Sequence, residues 1–366
     1  MKDTIYVDFQ TLERFMTDVL KGVGVPENDA KICADILIEA DKRGIDSHGI
    51  NRLKPIYYNR IKDGILNPVT DMEIVKEGFT TAVIDGHDGM GHVIAKKAMQ
   101  MAIDKAKVYG LGMVAVRNSS HYGIAGYYGL MAEKAGMIGI TGTNARPSIA
   151  PTFGVENMLG TNPLTFVMPT DEPFPFFLDC ATSVIQRGKI EFYARSGKDT
   201  PDGLVIGNDG KTLTNSEKIL KALVSGEAAL APLGGIGEGN GGYKGYGYAT
   251  VVEILSAALQ GGAFMKMLTG IRDGKKVPYN LGHFFIAINI ESFIELEDFK
   301  KTTGEILREL RNSTLAPGSE RIYTAGEKEY MAYQQRKITG VPINEALQNE
   351  MRTLIEELDL KGYDFL

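Results

Sequence analysis

Two histidines lie in short loops whose neighbours are small or polar, and these loops are suited to proton transfer. His48 lies in the segment 46–52, and His121 lies in the segment 118–123. A neutral imidazole can accept or donate a proton near pH 7. Arg52 follows His48 by four residues, so on a helix both side chains would share one face. Because a guanidinium binds a carboxylate through two parallel hydrogen bonds, the pattern predicts chemistry on a small 2-hydroxy or 2-keto acid.

A second group of ionisable residues suggests an alternative chemistry. Asp85, His87, Asp88 and His92 fall within eight positions and are potential metal ligands. They would suit a metal-assisted hydrolase or lyase. The same Asp and Gly-rich stretch is also typical of ordinary turns, and His87, His92 and His283 are interpreted as structural residues.

Composition narrows the class of protein. The chain has 366 residues and a net charge of −6, from 40 basic and 46 acidic residues, so a nucleic-acid partner is not expected. No apolar run approaches the roughly 18 residues that a membrane helix needs. The first nine residues lack the apolar stretch of a secretory signal. Only Cys33 and Cys180 are present, so no disulfide framework is expected and a cytoplasmic location is favoured.

The elements that must position these residues alternate in type. Apolar residues at helical spacing predict helices over 9–20, 26–44, 48–61, 91–108, 123–135, 184–194, 248–259, 296–311, 326–337 and 343–358. Strands are predicted over 81–85, 113–116, 138–141, 164–168, 176–179 and 283–290. The fold class is therefore mixed α/β, with helical segments at both ends that are expected to pack together. Residues 147–163 and 198–215 are predicted to be loops, the second of them exposed.

A glycine-rich stretch, 237–242, matches the G-x-G-x-x-G spacing of dinucleotide-binding loops. Residues 228–233 before it do not form a convincing strand, and no acidic residue follows about 20 positions later, so a Rossmann site is not expected. The stretch 243–247 suits an anion site better, because it combines flexible backbone amides, Lys244 and the start of a helix. A mobile surface hairpin is the alternative.

Several segments, spread in order over nearly the whole chain, resemble the malate/L-lactate dehydrogenase family of the non-Rossmann type. The matching segments are 47–49 with Arg52, 120–123, 160–163, 178–183, 187–189, 232–235, 244–247 and 326–327. The resemblance implies a non-Rossmann NAD(P)-binding fold with a large mixed sheet, and a homodimer. It also implies three parts of the chain. Residues 1–75 and 296–366 form the helical, dimer-forming and substrate-side segments. Residues 76–125 form a connecting α/β segment, and residues 126–295 form the NAD(P)-binding domain.

The resemblance also implies roles for individual residues. His121 matches the proton donor and acceptor, His48 a second active-site histidine, and Arg52 the contact to the substrate carboxylate. Thr161 and Asn144 lie in loops expected near the substrate or the nicotinamide. The residues expected to contact the cofactor are Asp179, Cys180, Ala181, Thr182, Ser183, Lys244, Ala325, Gly326 and Glu327.

Malate and oxaloacetate are the expected substrates, and NAD is favoured over NADP. L-lactate, sulfolactate and ureidoglycolate remain alternatives, as does a binding protein that keeps the fold without turnover. The chain departs from the family pattern at Tyr243, where relatives often have histidine, and at Arg146, where many carry a small polar residue.

Overall fold

The computed structural model describes residues 4–363. Its strands are β1 (Ile5–Val7), β2 (Glu73–Glu77), β3 (Thr81–Asp85), β4 (Leu111–Ser119), β5 (Met137–Thr143), β6 (Leu164–Met168), β7 (Phe176–Cys180), β8 (Val205–Gly207), β9 (Ala228–Leu230), β10 (Ile271–Arg272), β11 (Lys275–Lys276), β12 (Leu281–Asn289) and β13 (Val341–Ile343). Its α-helices are α1 (Phe9–Gly22), α2 (Glu27–Lys42), α3 (Asn59–Lys62), α4 (Gly91–Tyr109), α5 (Gly126–Lys134), α6 (Arg187–Arg195), α7 (Ser216–Ser225), α8 (Gly242–Ala257), α9 (Leu296–Arg311), α10 (Glu327–Thr339) and α11 (Glu345–Leu358).

A seven-stranded sheet in the order β2-β3-β4-β12-β5-β6-β7 forms the centre of the fold. Strands β3 and β4 are parallel and are joined by α4, while every other neighbouring pair is antiparallel. The predicted mixed α/β class with a large mixed sheet is therefore confirmed. Six of its strands lie within the predicted segments 76–125 and 126–295, and β2 begins at Glu73, in the predicted segment 1–75.

Helix α4 packs on this sheet through small side chains. Ala95, Ala98 and Ala102 are fully buried, and a Cβ at Gly112 of β4 would lie 2.0 Å from the carbonyl oxygen of Ala102. The small residues thus let the helix backbone approach the strand closely. No helix in residues 4–363, α4 included, is long and apolar enough to cross a membrane.

The two ends of the chain share one apolar core. β1 pairs antiparallel with β13, with Ile5 opposite Ile343. Leu12 and Phe15 of α1 are buried in the same cluster as Met351 of α11. The predicted packing of the terminal segments against each other is confirmed.

A separate apolar cluster holds α6, α7, β8 and β9 together, and here two predictions were wrong. The exposed loop predicted over 198–215 contains the buried strand β8, and residues 228–230 form β9 where no strand was expected. Three-residue strands are too short to show an alternating pattern. Because β8 and β9 pair antiparallel, the glycine stretch that follows them is not part of a parallel βαβ unit.

Two helices also differ from prediction. Helix α8 begins at Gly242 rather than at residue 248, because glycine lets it pack tightly: a Cβ at Gly245 would lie 2.1 Å from a backbone oxygen. The regular helix predicted over 48–61 is instead a 3₁₀ turn, Ile50–Arg52, a π-helical segment, Leu53–Tyr58, and the short α3. The π segment includes Pro55, whose ring nitrogen cannot donate a helical hydrogen bond.

Candidate active site

The two predicted histidines come together although 73 positions separate them in the chain. The ring centroids of His48 and His121 are 5.8 Å apart, with 19° between the ring planes. His48 lies in the loop after α2, and His121 follows β4. Burial, followed by the charge of Arg52, lowers the pKa of His48 to about 4. Burial is also the main reason that the pKa of His121 is held well below 6.5, so both rings are neutral at pH 7.

Tyr57 contacts the ring of His121 at Nδ1. The Tyr57 hydroxyl lies 2.5 Å from Nδ1 of His121, and the amide of Gly123 donates to the same nitrogen at 3.3 Å. The Tyr57 hydroxyl can donate to Nδ1 or accept from an Nδ1–H, and with both contacts at Nδ1 the other ring nitrogen, Nε2, is left to face a ligand. The sequence reasoning missed Tyr57, which appeared only as one aromatic residue within a predicted helix.

The loop that carries His48 is anchored by a buried carboxylate at the end of α2. Asp41 accepts a hydrogen bond from the amide of Ile50 at 2.8 Å, and burial raises the pKa of its carboxyl group to about 8. A Cβ at Gly49 would lie 2.0 Å from Oδ1 of Asp41, so only glycine fits there. Ser47 Oγ lies 2.8 Å from Nδ1 of His48. These contacts fix the position of the imidazole.

Arg52 lies close to both histidines, although it does not share a helix face with His48 as predicted. His48 precedes the 3₁₀ turn, so the two side chains do not share a helix face, and that part of the reasoning was wrong. Instead, Arg52 folds back and its Nε donates to the carbonyl oxygen of Ser47. Its charge acts on the pKa of His48 and of His121. Its role as carboxylate clamp stays a prediction.

A cavity of about 340 Å³ lies against His121. The polar side chains in its lining include those of His121, Thr161, Tyr279, Arg60, Arg146 and Arg187. The volume is within the range of small-molecule sites. The sequence reasoning noted Arg146 only as a departure from the family and missed Arg60, eight residues after Arg52.

Asn144 is placed differently from what the predicted role requires. Its side chain is fully buried, with Nδ2 donating to the carbonyl oxygen of Ala263 at 3.0 Å and Oδ1 accepting from the amide of Gly282 at 2.8 Å. Asn144 therefore joins two backbone segments. Thr161, by contrast, lines the cavity.

Two of the predicted cofactor segments meet beside Thr161. The amide of Thr182 donates to the carbonyl oxygen of Thr161 at 2.9 Å, and the amide of Leu233 donates to that of Thr182 at 2.8 Å. Gly245 in the first turn of α8 packs directly on Leu233. The segment 179–183 and the turn that carries Lys244 are thus adjacent, and the first of them contacts the cavity residue Thr161.

The third predicted cofactor segment lies on the other side of β7. The amide of Phe177 donates to the carbonyl oxygen of Ala325 at 3.2 Å. Gly326 has a φ of +94°, and a Cβ there would lie 2.6 Å from a backbone oxygen, so the turn requires glycine. Cys180, which is exposed, ends β7 and is followed by Ala181. The segments 179–183 and 325–327 therefore both lie at β7, which is an edge strand of the sheet.

The acidic side chains of these segments bond within the protein. Asp179 accepts from the amide of Gly126 at 2.7 Å and from the hydroxyl of Thr165 at 3.0 Å. Glu327 accepts from Arg321 and is almost fully buried. Both side chains therefore already have partners within the protein.

Of the four residues considered as metal ligands, only Asp85 and His87 are shown in contact, with 3.6 Å between Oδ1 and Nε2. Asp85 accepts from Nε of Arg117 at 2.8 Å, and Asp88 accepts from the amide of Asn280 at 2.8 Å. His92 is fully buried, and its ring packs 4.6 Å from that of Tyr57. Across residues 4–363, no group of three or more His, Cys, Asp or Glu side chains could hold a metal ion. The geometry therefore offers no support for a metal-assisted hydrolase or lyase.

Comparison with known proteins agrees with this arrangement. The family model described as malate/L-lactate dehydrogenase matches residues 7–352. The chain belongs to this family. It is 45% identical to a malate dehydrogenase of Pyrococcus abyssi, over 96% of this chain and 94% of that protein. It is 42% identical to an L-sulfolactate dehydrogenase of Methanocaldococcus jannaschii, over 97% of each.

Among solved structures, malate dehydrogenase from Entamoeba histolytica superposes with a TM-score of 0.94 and 46% identity, over 98% of this chain and 99% of that one. The expected family is confirmed, and so is the expectation of an enzyme: the protein is a dehydrogenase. A dehydrogenase of this family uses a nicotinamide cofactor.

Proposed function

We propose that this dehydrogenase interconverts malate and oxaloacetate. The observation that carries the proposal is a proton-transfer histidine, His121, at a cavity that three arginines also line. A substrate with two carboxylates matches that charge. The relatives named malate dehydrogenase support the same substrate.

Each nearby residue has a distinct part in the proposed reaction. The nicotinamide, when bound, exchanges a hydride with C2 of the substrate. Arg52 binds the C1 carboxylate and orients C2. His121 uses Nε2 to exchange a proton with the oxygen on C2, because Tyr57 and Gly123 occupy Nδ1. His48 and its loop confine the ring of His121 on one side.

The substrate itself adjusts the protonation of His121. Without substrate, burial and, to a lesser extent, the positive charges of Arg60 and Arg52 hold the pKa of His121 well below 6.5. A bound carboxylate offsets the charge of these arginines, so the pKa of His121 rises in the complex. Protonation is thereby favoured when a keto acid is present to receive the proton.

The predicted cofactor residues fit a nicotinamide dinucleotide in two ways. Ser183 Oγ is buried and has no hydrogen-bond partner among the described residues, so it can bond a ligand. Lys244 is exposed at the glycine-rich start of α8, where a phosphate is stabilised by backbone amides and a positive side chain. We favour NAD, because the nearby charges of Asp179 and Glu329 would disfavour the 2′-phosphate of NADP.

We also propose that the dehydrogenase is a cytoplasmic homodimer with the predicted division into 1–75 with 296–366, 76–125 and 126–295. Ile306, Leu310 and Ile338 of the C-terminal segment are more than half exposed, which is typical of a surface that a partner covers. Both cysteines are free, as suits a reducing compartment. Analytical ultracentrifugation tests the dimer, since a mass of about 40 kDa at micromolar concentration would contradict it.

Oxidation of NADH and of NADPH in the presence of oxaloacetate, pyruvate and sulfopyruvate tests the function. We expect oxaloacetate with NADH to give the highest kcat/KM. Sulfopyruvate is a second candidate, because a sulfonate is also an anion that the arginines can bind. Turnover of none of these acids, with cofactor still bound, would support the binding-protein alternative.

His121→Ala tests the mechanism. We expect kcat to fall by about 10² to 10⁴, the usual contribution of a positioned acid or base, while the Kd for NADH measured by fluorescence stays unchanged. Unchanged turnover would remove His121 from the reaction.

A further inference from the structure

Arg60 is a cation at the cavity that has no acidic partner. No carboxylate oxygen in residues 4–363 lies within salt-bridge distance of Arg60 or Arg146. Burial lowers the pKa of Arg60, and the positive charges of Arg146 and Arg52 act in the same direction. Half-buried arginines are normally paired with an acid, so this group of positive charges is incomplete without an anion.

The local structure holds the guanidinium of Arg60 in place. Its central carbon lies 4.1 Å from the centre of the Tyr279 ring, and both side chains line the cavity with His121. Stacking on an aromatic ring leaves the N–H groups at the edge of the guanidinium plane free to bind a planar anion. The π-helical segment Leu53–Tyr58 directly precedes α3, and its altered register places both Tyr57 and Arg60 beside His121.

We propose that Arg60, assisted by Arg146, binds the distal anionic group of the substrate and so selects dianionic over monoanionic 2-keto acids. The proposal rests on the function proposed above and adds to it the residue that sets specificity. Arg52 would then hold the C1 carboxylate, which all 2-keto acids share. Arg146 is exposed at the cavity, where it can contact an entering anion.

The test compares kcat/KM for oxaloacetate, a dianion, and 2-oxobutyrate, a monoanion of similar length. We expect Arg60→Gln to lower the value for oxaloacetate about 100-fold and the value for 2-oxobutyrate less than threefold, as the loss of a charge-assisted bidentate contact implies. Arg60→Lys keeps the charge but not the bidentate geometry of the guanidinium. Its kcat/KM for oxaloacetate should lie between those of the wild type and Arg60→Gln. Arg52→Gln should lower both values alike.

Arg14→Gln is the matched control, because Arg14 also lies over a tyrosine ring, 5.2 Å from the centre of Tyr363, but does not line the cavity. It should leave both values unchanged. Equal losses on both substrates in Arg60→Gln, or no loss on either, would overturn the proposal while the function stands.

Binding measured by calorimetry separates this proposal from the proposed function. With NADH present, Arg60→Gln should raise the Kd of the dianion tartronate about 100-fold and the Kd of the monoanion oxamate less than threefold. If the wild-type protein turns over no keto acid, the proposed function fails, yet this difference in binding would still support the role of Arg60. Equal weakening of the two inhibitors would contradict it.

Discussion

Removing the Tyr57 hydroxyl tests whether the contact with His121 is part of the mechanism. Tyr57→Phe deletes the oxygen that lies 2.5 Å from Nδ1 of His121 and keeps the ring that packs 4.6 Å from that of His92. Burial holds the pKa of Tyr57 well above 10, so the hydroxyl is protonated throughout the working pH range. It can accept from Nδ1–H, which leaves Nε2 of the neutral ring able to take a proton, and the same hydrogen bond strengthens once the ring is charged.

The size of the effect follows from the charge on the imidazole. A hydrogen bond to a charged group contributes about 1.5–3 kcal/mol, whereas the weaker contact to the neutral ring contributes about 1 kcal/mol. Tyr57→Phe therefore removes more stabilising free energy from the imidazolium than from the neutral ring. As a result, the pKa of His121 falls further. The difference of about 0.5–2 kcal/mol lowers kcat/KM by about 2- to 30-fold, since 1.4 kcal/mol corresponds to a factor of ten.

The assay is the pH profile of kcat/KM for malate oxidation, a direction in which His121 must be neutral to accept a proton. Activity falls on the acidic side as His121 becomes protonated. Because Tyr57→Phe lowers the pKa of His121, the acidic limb should move to lower pH while the plateau drops. Tyr127→Phe is the control, since its hydroxyl bonds Asp35 at 2.5 Å and does not contact the histidines.

Two results would refute this reasoning about Tyr57. The first is wild-type kcat/KM at every pH. The second is a lower plateau with an unmoved acidic limb, matched by an equal loss of activity in Tyr127→Phe, which would mean that Tyr57 only supports the fold.

Two further predictions concern the loop around His48 and the stability of the protein in acid. Gly49→Ala should reduce kcat at least tenfold, because its Cβ would lie 2.0 Å from the Asp41 carboxylate and displace the loop; a crystal structure of the variant with an unmoved loop would contradict this. Burial lowers the pKa values of His48, His92 and His283 to about 4, 3 and 3. Below pH 6.5 the unfolded chain binds protons at these rings and the folded protein does not, so their contribution to the free energy of unfolding is complete above pH 6.5 and is lost as pH falls. Asp41, with its pKa raised to about 8, acts in the opposite direction, and these four groups together should lower the free energy of unfolding on the order of 3 kcal/mol from pH 7 to pH 5. His121 adds to this fall, and Asp88, whose pKa is raised to about 6, opposes it. Urea unfolding at the two pH values measures this, and equal midpoints would contradict it.

Some of the site could be predicted from the sequence because the evidence is local. Loops with histidine next to glycine and serine indicate chemistry wherever they lie in the chain, and His48 and His121 were identified in that way. The segments around Thr182, Lys244 and Gly326 were found by their resemblance to a family. The long strands and helices follow from apolar spacing, which is why the mixed α/β class and the packing of the terminal helices were anticipated. The large mixed sheet was expected only from the resemblance to the family.

Other residues could not be predicted, because their roles depend on contacts between distant segments. Arg60 and Tyr57 were hidden in a stretch predicted as a regular helix, and only the change to π-helical register directs them to His121. Asn144 was expected at the substrate, but its amide joins Ala263 and Gly282, which are more than 100 positions away.

The sequence by itself determined which residues are able to transfer a proton or bind an anion, because these abilities belong to the side chains. It also determined where long helices and strands form, because their apolar periodicity is written in adjacent positions. Only the tertiary structure decided which cations meet at one cavity and which ring nitrogen of His121 is free. Those outcomes depend on burial and on hydrogen bonds between segments that are remote in the chain, and no local pattern encodes them.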